Sequence, residues 1–392
     1  MLKGIKLDSK KTMSITDEIV DVSNPDKVYI PLINSNVICD NLTKKGRKVK
    51  KGTMIGIRKD IEFPILSPVS GKVLGVEDQL YLTNKRVPCI VIENDKKEML
   101  LKKELVEDIT SYKKEEFVNI LKDCSIIGMG GSGFPTFLKY IGDINTLIVN
   151  AVECEPYITA DLMLIKLKAD LILETIEAIM KINNIEKCYI AYKKENKAIY
   201  NSFKKYVNNY QNIKLIGLKS IYPMGWERYI IKTILKKNYN KYPSEIGVVV
   251  NNVSTVFAIY KALKFKRAIT KRIVTISGEN FDEPLNVLAK VGTNVSEIIN
   301  KIGKYIDLEN SVIIAGGPMM GFSLDTDSLI VTNNLNAVLV LPKCDDKEQN
   351  CIECGKCINI CPANLCPVFI MKNKGNKEKL KELHPEQCCE CG

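Results

Sequence analysis

Residues 128–139 read GMGGSGFPTFLK, and residues 150–161 read NAVECEPYITAD. The four glycines of the first stretch follow residues 124–128, which we predict to form a strand. Glycines let backbone N–H groups come close to a phosphate or a flat ring, and the N-terminus of a following helix favours an anion. The pattern G-x-G-G-x-G-F-P-T therefore predicts a binding site for a phosphate-bearing or planar ligand.

Strands and helices alternate around these stretches, from about residue 101 to residue 265. We predict apolar strands at residues 145–150, 187–192 and 246–250, and apolar residues recur at helical spacing over residues 162–182. This alternation is typical of a parallel sheet with helices on both faces. The fold class is therefore α/β, with a Rossmann-like domain in the middle of a multidomain chain.

A β-rich segment, residues 1–100, precedes this domain. It contains a predicted strand at 53–57 and a strand, a turn and a second strand over 65–73. This pairing resembles the two arms of a barrel-sandwich hybrid, the fold of lipoyl and biotinyl carriers. Carriers display a lysine at a hairpin tip, and no such tip motif occurs here. We interpret the segment as structural, with a carrier domain as the alternative.

Residues 266–342 fit a small β-grasp module. We predict a period-two strand at 272–277, a helix at 295–304 and a strand at 311–315 that leads into GGPMMG at 316–321. Thr293 or Asn294 is the expected N-cap of that helix, since both side chains can accept a backbone hydrogen bond.

Cysteine is concentrated at the end of the chain. Nine of the 14 cysteines lie in residues 344–392, and the single histidine, His384, argues against imidazole catalysis. Residues 351–362, CIECGKCINICP, match C-x2-C-x2-C-x3-C-P, which is typical of cubane iron–sulfur ligation. Zinc sites usually separate their two cysteine pairs by a longer loop, so zinc is the weaker alternative.

Residues 388–392, CCECG, repeat the start of this motif. Two-cluster ferredoxins take three ligands for each cluster from one motif and the fourth from the other. The candidate cluster ligands are Cys351, Cys354, Cys357, Cys361, Cys388 and Cys391. Neither ligand set is complete, so we expect residue 392 to be a truncation point, through cloning or a selenocysteine codon read as a stop. The alternative is that Cys344, Cys366 or Cys389 substitutes.

The formal net charge of +11 does not indicate a nucleic-acid partner. Only six basic residues are arginine, the residue that reads bases and grips phosphates in bidentate fashion. Scattered lysine pairs among Asn and Ile indicate a compositional bias and solvated helix faces. The N-terminus lacks the apolar core of a signal peptide, and no stretch resembles a membrane span. We expect a cytoplasmic protein, with peripheral membrane association possible.

The two opening stretches resemble the flavin-binding core of the complex I flavin subunit and of the RnfC component of the Rnf electron-transport complex. Cobalamin reductases and the proline-reductase-associated electron transfer protein share that core. YPMGWE at 222–227, VNNV at 250–253 and GGPMMG strengthen the resemblance. The order of modules is that of the RnfC family: a barrel-sandwich hybrid (1–100), an FMN domain (101–265), an SLBB β-grasp module (266–342) and a 4Fe-4S ferredoxin-like tail (343–392).

The resemblance implies a noncovalent FMN that accepts hydride from NADH and passes single electrons to 4Fe-4S clusters. It implies that Gly128, Gly130, Gly131 and Gly133 surround the cofactor, and that Lys139 neutralises its phosphate. Hydrogen bonds to its ribityl chain and ring are implied for Asn150, Glu153, Asn251 and Asn252. Phe134 and Glu155 would face the nicotinamide nucleotide. The alternatives are purely structural roles: core packing for Phe134 and a simple turn for Asn251 and Asn252.

The sequence departs from the family pattern in places. Met129 replaces an arginine and Val152 an aspartate of the complex I flavin subunit, and residues 330–334 lack the basic-Gly-Thr sequence of RnfC proteins. We therefore favour a soluble electron-transfer protein that serves a partner reductase, such as proline reductase. The alternatives are the RnfC component of an Rnf complex, a cobalamin reductase, or a non-enzymatic electron relay or scaffold.

Overall fold

The computed structural model describes residues 3–344, 347 and 349–392. A four-stranded parallel sheet has its strands in the order Ile213–Leu218, Lys187–Lys193, Thr146–Ala151 and Val248–Asn252. The last three match the strands predicted from sequence within about two residues, and Ile213–Leu218 was not predicted. The predicted parallel sheet is therefore confirmed.

Helices cover both faces of this sheet, because alternate residues of each strand point to opposite sides. Leu147 and Val149 face a core shared with four helices, and Ile148 faces a second core shared with the helix Glu227–Leu235. The four helices of the first face are Lys114–Asp123, Ala160–Ile182, Lys197–Val207 and Val253–Phe265. The helix predicted at 162–182 is confirmed.

The strand predicted at residues 124–128 is wrong. Cys124 and Ser125 form a turn, and Ser125 has a φ of 53°, in the left-handed region that an extended strand cannot contain. Only an isolated bridge joins Ile127 to Pro135. The glycine stretch therefore follows the helix Lys114–Asp123, and a short 3-10 helix, Thr136–Tyr140, comes after it.

The N-terminal β-rich segment packs on the α/β domain. Its antiparallel sheet has the order Lys27–Pro31, Arg86–Asn94, Gly71–Leu80 and Lys48–Val49, beside the strands Asp40–Asn41, Met54–Arg58 and Phe63–Leu66. A two-residue ladder joins Ile33–Asn34 to Val37–Ile38. The Phe63 ring stacks on Phe137 with centroids 5.8 Å apart. The turn at 67–70 is buried and holds no lysine, in agreement with the structural interpretation.

A six-stranded sheet forms the third part of the fold. Its order is Val20–Asp21, Leu285–Lys290, Lys271–Ser277, Ala337–Pro342, Ser311–Ala315 and Phe322–Leu324. The helix Val295–Ile302 packs on it, and Asn294, rather than Thr293, is its N-cap and accepts a 3.0 Å bond from the Ser296 amide. Because Val20–Asp21 joins this sheet, the N-terminal segment contacts two parts of the fold.

The tail consists of the short helices Lys356–Ile360, Pro367–Lys372 and Lys377–Leu383, with a 3-10 turn at Pro385–Gln387. Further 3-10 turns lie at Lys11–Met13, Lys59–Ile61 and Pro243–Ile246. Within the residues that the structure describes, none of the helices combines the length and apolar character needed to cross a membrane.

Candidate functional site

A cavity of about 550 Å³ lies where the parallel sheet, the six-stranded sheet and the tail meet; we call it the interdomain cavity. Its volume is in the range of ligand and cofactor sites. One wall carries Gly130, Gly131 and Ser132 together with strand-end and loop residues of the α/β domain. The opposite wall is the GGPMMG turn and residues 334–336, and Cys389 and Glu390 of the tail reach the rim.

The strand ends supply two asparagines to this cavity. Asn150 and Asn252 are register partners on adjacent parallel strands, so both side chains stand at the carboxyl edge where α/β sheets bind ligands. The Asn150 amide donates a 3.0 Å bond to the Gly225 carbonyl. Asn252 caps the helix Val253–Phe265 by accepting a 2.9 Å bond from the Ser254 amide. Both asparagines are thus held in fixed orientations.

The glycine stretch approaches Asn252 so closely that a side chain at Gly130 would require Asn252 to shift. A Cβ on Gly130 would lie 3.1 Å from the Asn252 Cβ, and Gly131 has a φ of 113°, which disfavours any other residue. The Met129 amide donates a 2.8 Å bond to the Thr255 hydroxyl and fixes the stretch against a helix. Two of the four predicted glycines, Gly130 and Gly131, therefore line the cavity.

Two long helices begin at the cavity wall. Ala160 and Asp161 open the helix Ala160–Ile182, and Asn252 caps the helix Val253–Phe265. The positive ends of both helix dipoles therefore lie beside the cavity and favour an anion. The sequence placed this effect on a helix after the glycine stretch. The structure instead supplies it from helices that are separate in the chain.

Glu153 is a buried carboxyl group in the cavity wall. It accepts a 2.8 Å bond from the Asp161 amide, and its other oxygen lies 3.1 Å from the Lys11 ammonium. Burial raises the pKa of Glu153 to about 7, against the opposing effect of Lys11. This carboxyl group therefore changes its charge near neutral pH.

Glu155 holds the opposite wall in place. Its carboxylate accepts bonds of 3.1 and 3.0 Å from the Met319 and Met320 amides of the GGPMMG turn. Burial raises the pKa of Glu155, and these amides oppose the shift. A Cβ at Gly317 would overlap the Glu155 carboxylate, which explains a glycine there. Glu155 therefore lines the cavity, and both of its carboxylate oxygens already accept hydrogen bonds from the turn.

Five predicted site residues lie outside the cavity lining: Gly128, Gly133, Phe134, Lys139 and Asn251. Lys139 donates a 2.8 Å bond to the Val250 carbonyl and lies 3.8 Å from Glu227, which does line the cavity. Burial lowers the pKa of Lys139, against the attraction of Glu227. Asn251 is buried and bonds to the Tyr140 hydroxyl, and Phe134 is half-buried.

Sequence reasoning missed the contribution of the six-stranded sheet. Asn334 donates a 2.9 Å bond to the Gly131 carbonyl. The buried Arg272 guanidinium donates 2.6 Å bonds to the Met129 and Asn333 carbonyls. Asn334 belongs to residues 330–334, where the sequence departs from the RnfC pattern. This segment therefore contacts the glycine stretch. No periodicity or spacing rule predicts such a contact.

The cysteine motif is present, but its thiols are not gathered. Cys351, Cys354 and Cys357 are exposed, and Cys361 is buried and accepts a 3.3 Å bond from the Leu365 amide. Among the described residues, no three His, Cys, Asp or Glu side chains lie together as a metal-ligand set. The six candidate cluster ligands therefore stay a prediction from spacing.

Two family models match the chain. Residues 1–97 match the RnfC barrel sandwich hybrid domain, and residues 121–261 match the Nuo51 FMN-binding domain. A solved NAD+-reducing [NiFe]-hydrogenase in its H2-reduced state resembles this fold with a TM-score of 0.50 and 17% identity, over 60% of this chain and 48% of that one. At this identity the likeness shows the fold alone.

Curated relatives cover nearly the whole chain, and each is the C component of a multisubunit oxidoreductase. The one from the proton-translocating ferredoxin:NAD(+) oxidoreductase complex of Clostridium ljungdahlii is 31% identical over 98% of this chain and 86% of its own length. The one from an ion-translocating oxidoreductase complex of Buchnera aphidicola is 29% identical over 94% and 76%. The one from the Na(+)-translocating complex of Acetobacterium woodii is 28% identical over 88% and 81%. The chain therefore belongs to the RnfC family.

Proposed function

We propose that this chain binds FMN in the interdomain cavity and transfers electrons between a nicotinamide nucleotide and iron–sulfur clusters, as the RnfC component of an Rnf-type complex. The observation that carries the proposal is the cavity itself. One of its walls belongs to the region that matches an FMN-binding domain model, and glycine backbone, two asparagines and two helix N-termini converge on it. Two of the relatives named above belong to ferredoxin:NAD(+) oxidoreductase complexes.

The residues of the cavity fit a phosphorylated flavin. The glycine backbone permits close approach of a phosphate or a flat ring, whereas the Glu153 and Asp161 carboxylates already accept hydrogen bonds at the two helix N-termini. Asn150 and Asn252 offer amide donors and acceptors, whereas Glu153 as a carboxylate offers only acceptors, as ribityl hydroxyls and ring N–H groups require. Bound FMN would supply the chemistry that links a two-electron hydride donor to one-electron acceptors.

The iron–sulfur part of the proposal depends on the motif at 351–362 and its repeat at 388–392. Cys389 lines the interdomain cavity, which supports a second cysteine group close to the proposed flavin site. Neither the cysteine motifs nor the position of Cys389 identifies the electron acceptor. A separate reductase, proline reductase among them, stays a prediction, and so does the cytoplasmic location.

The test is anaerobic purification followed by an absorption spectrum before and after NADH is added. We expect a flavin band that bleaches on addition of NADH. Clusters without flavin would contradict the proposal and favour the electron relay. Flavin that NADPH bleaches and NADH leaves oxidised would contradict the nucleotide assignment. Bleaching by NADH with transfer to added cobalamin would favour a cobalamin reductase.

Lys139→Ala is expected to weaken FMN retention roughly tenfold and to leave the iron content unchanged. The substitution removes the ammonium group that contacts the Val250 carbonyl and Glu227, and the loss of a partner for the buried Val250 carbonyl costs about 1–3 kcal/mol. The flavin-to-protein ratio after gel filtration measures this effect.

The matched control for this change is Lys122→Ala, which removes a half-buried lysine that pairs with the exposed Glu62 at 3.2 Å. We expect it to keep wild-type flavin content. Stoichiometric flavin in the Lys139 variant would show that this residue has no role in cofactor binding.

A further inference from the structure

Lys11 contacts Glu153, a residue of the cavity wall, from outside the α/β domain. It lies in the 3-10 turn Lys11–Met13, far from the residues that match the FMN-binding domain model. Its ammonium group is 3.1 Å from a Glu153 oxygen and also donates to the Ile158 carbonyl. Only 10% of the Lys11 side chain and 4% of the Glu153 side chain are exposed. The pair is therefore shielded from water and from salt.

Hydrogen bonds to the α/β domain and to the six-stranded sheet hold the segment that carries Lys11. The Ser14 hydroxyl donates a 3.1 Å bond to the Tyr157 carbonyl and lies 2.8 Å from the Thr159 hydroxyl. From the six-stranded sheet, the Asn286 amide donates a 2.8 Å bond to the Ser14 carbonyl. Because these groups are buried and satisfied, the position of the ammonium group is set by the fold rather than by a flexible surface chain.

The other groups near Glu153 are already committed to partners. The Asp161 backbone amide donates a hydrogen bond to Glu153. The Asp161 carboxylate accepts bonds of 2.6 and 2.5 Å from Asn252 and Ser254. Lys193, at the end of its strand, donates a 3.4 Å bond to the Cys154 carbonyl and acts on Glu153 only through its charge. Lys11 is the cation in direct contact with the Glu153 carboxylate.

The charge of Glu153 depends on this contact. Burial favours the protonated carboxyl group, whereas the adjacent cation and the Asp161 amide favour the carboxylate. A buried carboxylate that loses its cation takes up a proton instead of remaining charged. Protonation would turn an acceptor that faces the cavity into a donor.

We propose that Lys11 is a positioning residue of the interdomain cavity, which orients the Glu153 carboxyl group and favours its carboxylate form. The N-terminal segment thereby completes a site that the α/β domain alone leaves unfinished. The proposal deepens the proposed function, because the group that Glu153 would face is the flavin.

The experiment measures FMN affinity of the flavin-free full chain from pH 5.5 to pH 9 by quenching of flavin fluorescence. In wild type we expect affinity to rise through an inflection near pH 7, as Glu153 becomes a carboxylate. In Lys11→Met the inflection moves up by about one unit or more, so affinity at pH 7 falls roughly tenfold and recovers at pH 9. The flavin phosphate titrates equally in all variants.

Three variants control this result. Glu153→Gln is expected to lose the inflection, and the double variant Lys11→Met with Glu153→Gln is expected to match it, because Lys11 acts through Glu153. Lys10→Met removes a neighbouring, 44% exposed lysine and is expected to match wild type. Lys11→Gln keeps a donor for the Ile158 carbonyl, and replaces Lys11→Met if that variant does not fold. Identical profiles for wild type and the Lys11 variants would overturn the proposal.

A second readout needs no flavin. Because the folded-state pKa of Glu153 is raised, its contribution to stability is complete below pH 4.5 and declines as pH rises toward 7. Denaturant unfolding of the flavin-free chain should show this decline extended to higher pH in Lys11→Met and absent in Glu153→Gln. If neither the wild-type protein nor any variant binds FMN, the proposed function is wrong. An unchanged stability profile in Lys11→Met would overturn the role of Lys11 by itself.

Discussion

Gly130→Val is expected to weaken FMN binding roughly 10- to 100-fold while the protein stays folded. A valine Cβ would lie 3.1 Å from the Asn252 Cβ and 3.3 Å from its Cγ, and the two methyl groups would add bulk at a position that lines the cavity. Overpacking of this kind costs about 1–3 kcal/mol, which corresponds to the stated loss of affinity. Asn252 caps a helix and donates to Asp161, so it cannot move aside freely.

Fluorescence titration of the flavin-free protein with FMN measures the effect, with circular dichroism to establish that the variant is folded. Gly142→Ala is the matched control, because a Cβ at this position meets nothing within 4 Å. Wild-type affinity in a folded Gly130→Val protein would show that the flavin binds elsewhere. The same loss in Gly142→Ala would show a general effect on stability.

Cys354→Ser is expected to remove the iron and sulfide of one cubane cluster and to leave the flavin content unchanged. A serine hydroxyl at this position replaces one of three thiolates that the C-x2-C-x2-C spacing directs at the same cluster corner. Iron and acid-labile sulfide analysis and electron paramagnetic resonance of the anaerobically purified, dithionite-reduced protein measure the loss.

Cys39→Ser serves as the matched control, because Cys39 is buried in the N-terminal β-rich segment and burial raises its thiol pKa to about 11. We expect it to keep wild-type iron content. Bound zinc without sulfide in the wild-type protein would contradict the cluster assignment and favour a zinc site.

The strand predictions succeeded where apolar runs were long enough to cross a buried sheet. Residues 145–150 and 187–192 have this character, and both are central strands. Residues 124–128 have a shorter apolar run, and a left-handed Ser125 turns the chain before a strand can form. Gly130 and Gly131 therefore line the cavity, but the glycine stretch follows a helix and a turn instead of the predicted strand.

The predicted site residues divide by position in the fold. Gly130, Gly131, Asn150 and Asn252 line the cavity because a parallel sheet brings its strand ends to one edge. Asn251 is next to Asn252 in sequence, but successive residues of a strand point to opposite faces, so its side chain is buried against Tyr140. Its resemblance-based role in flavin binding stays a prediction that this placement does not favour.

By itself, the sequence determined the α/β order of elements, the location of the glycine stretch, the cysteine spacing and the RnfC resemblance, since these depend on residues close together in the chain. Tertiary structure alone decided which groups meet in the cavity. Lys11 reaches Glu153 across 142 residues, Glu155 reaches Met319 across 164, and Asn334 reaches Gly131 across 203. Periodicity and spacing describe local geometry, whereas these contacts arise from the packing of separate modules against one another.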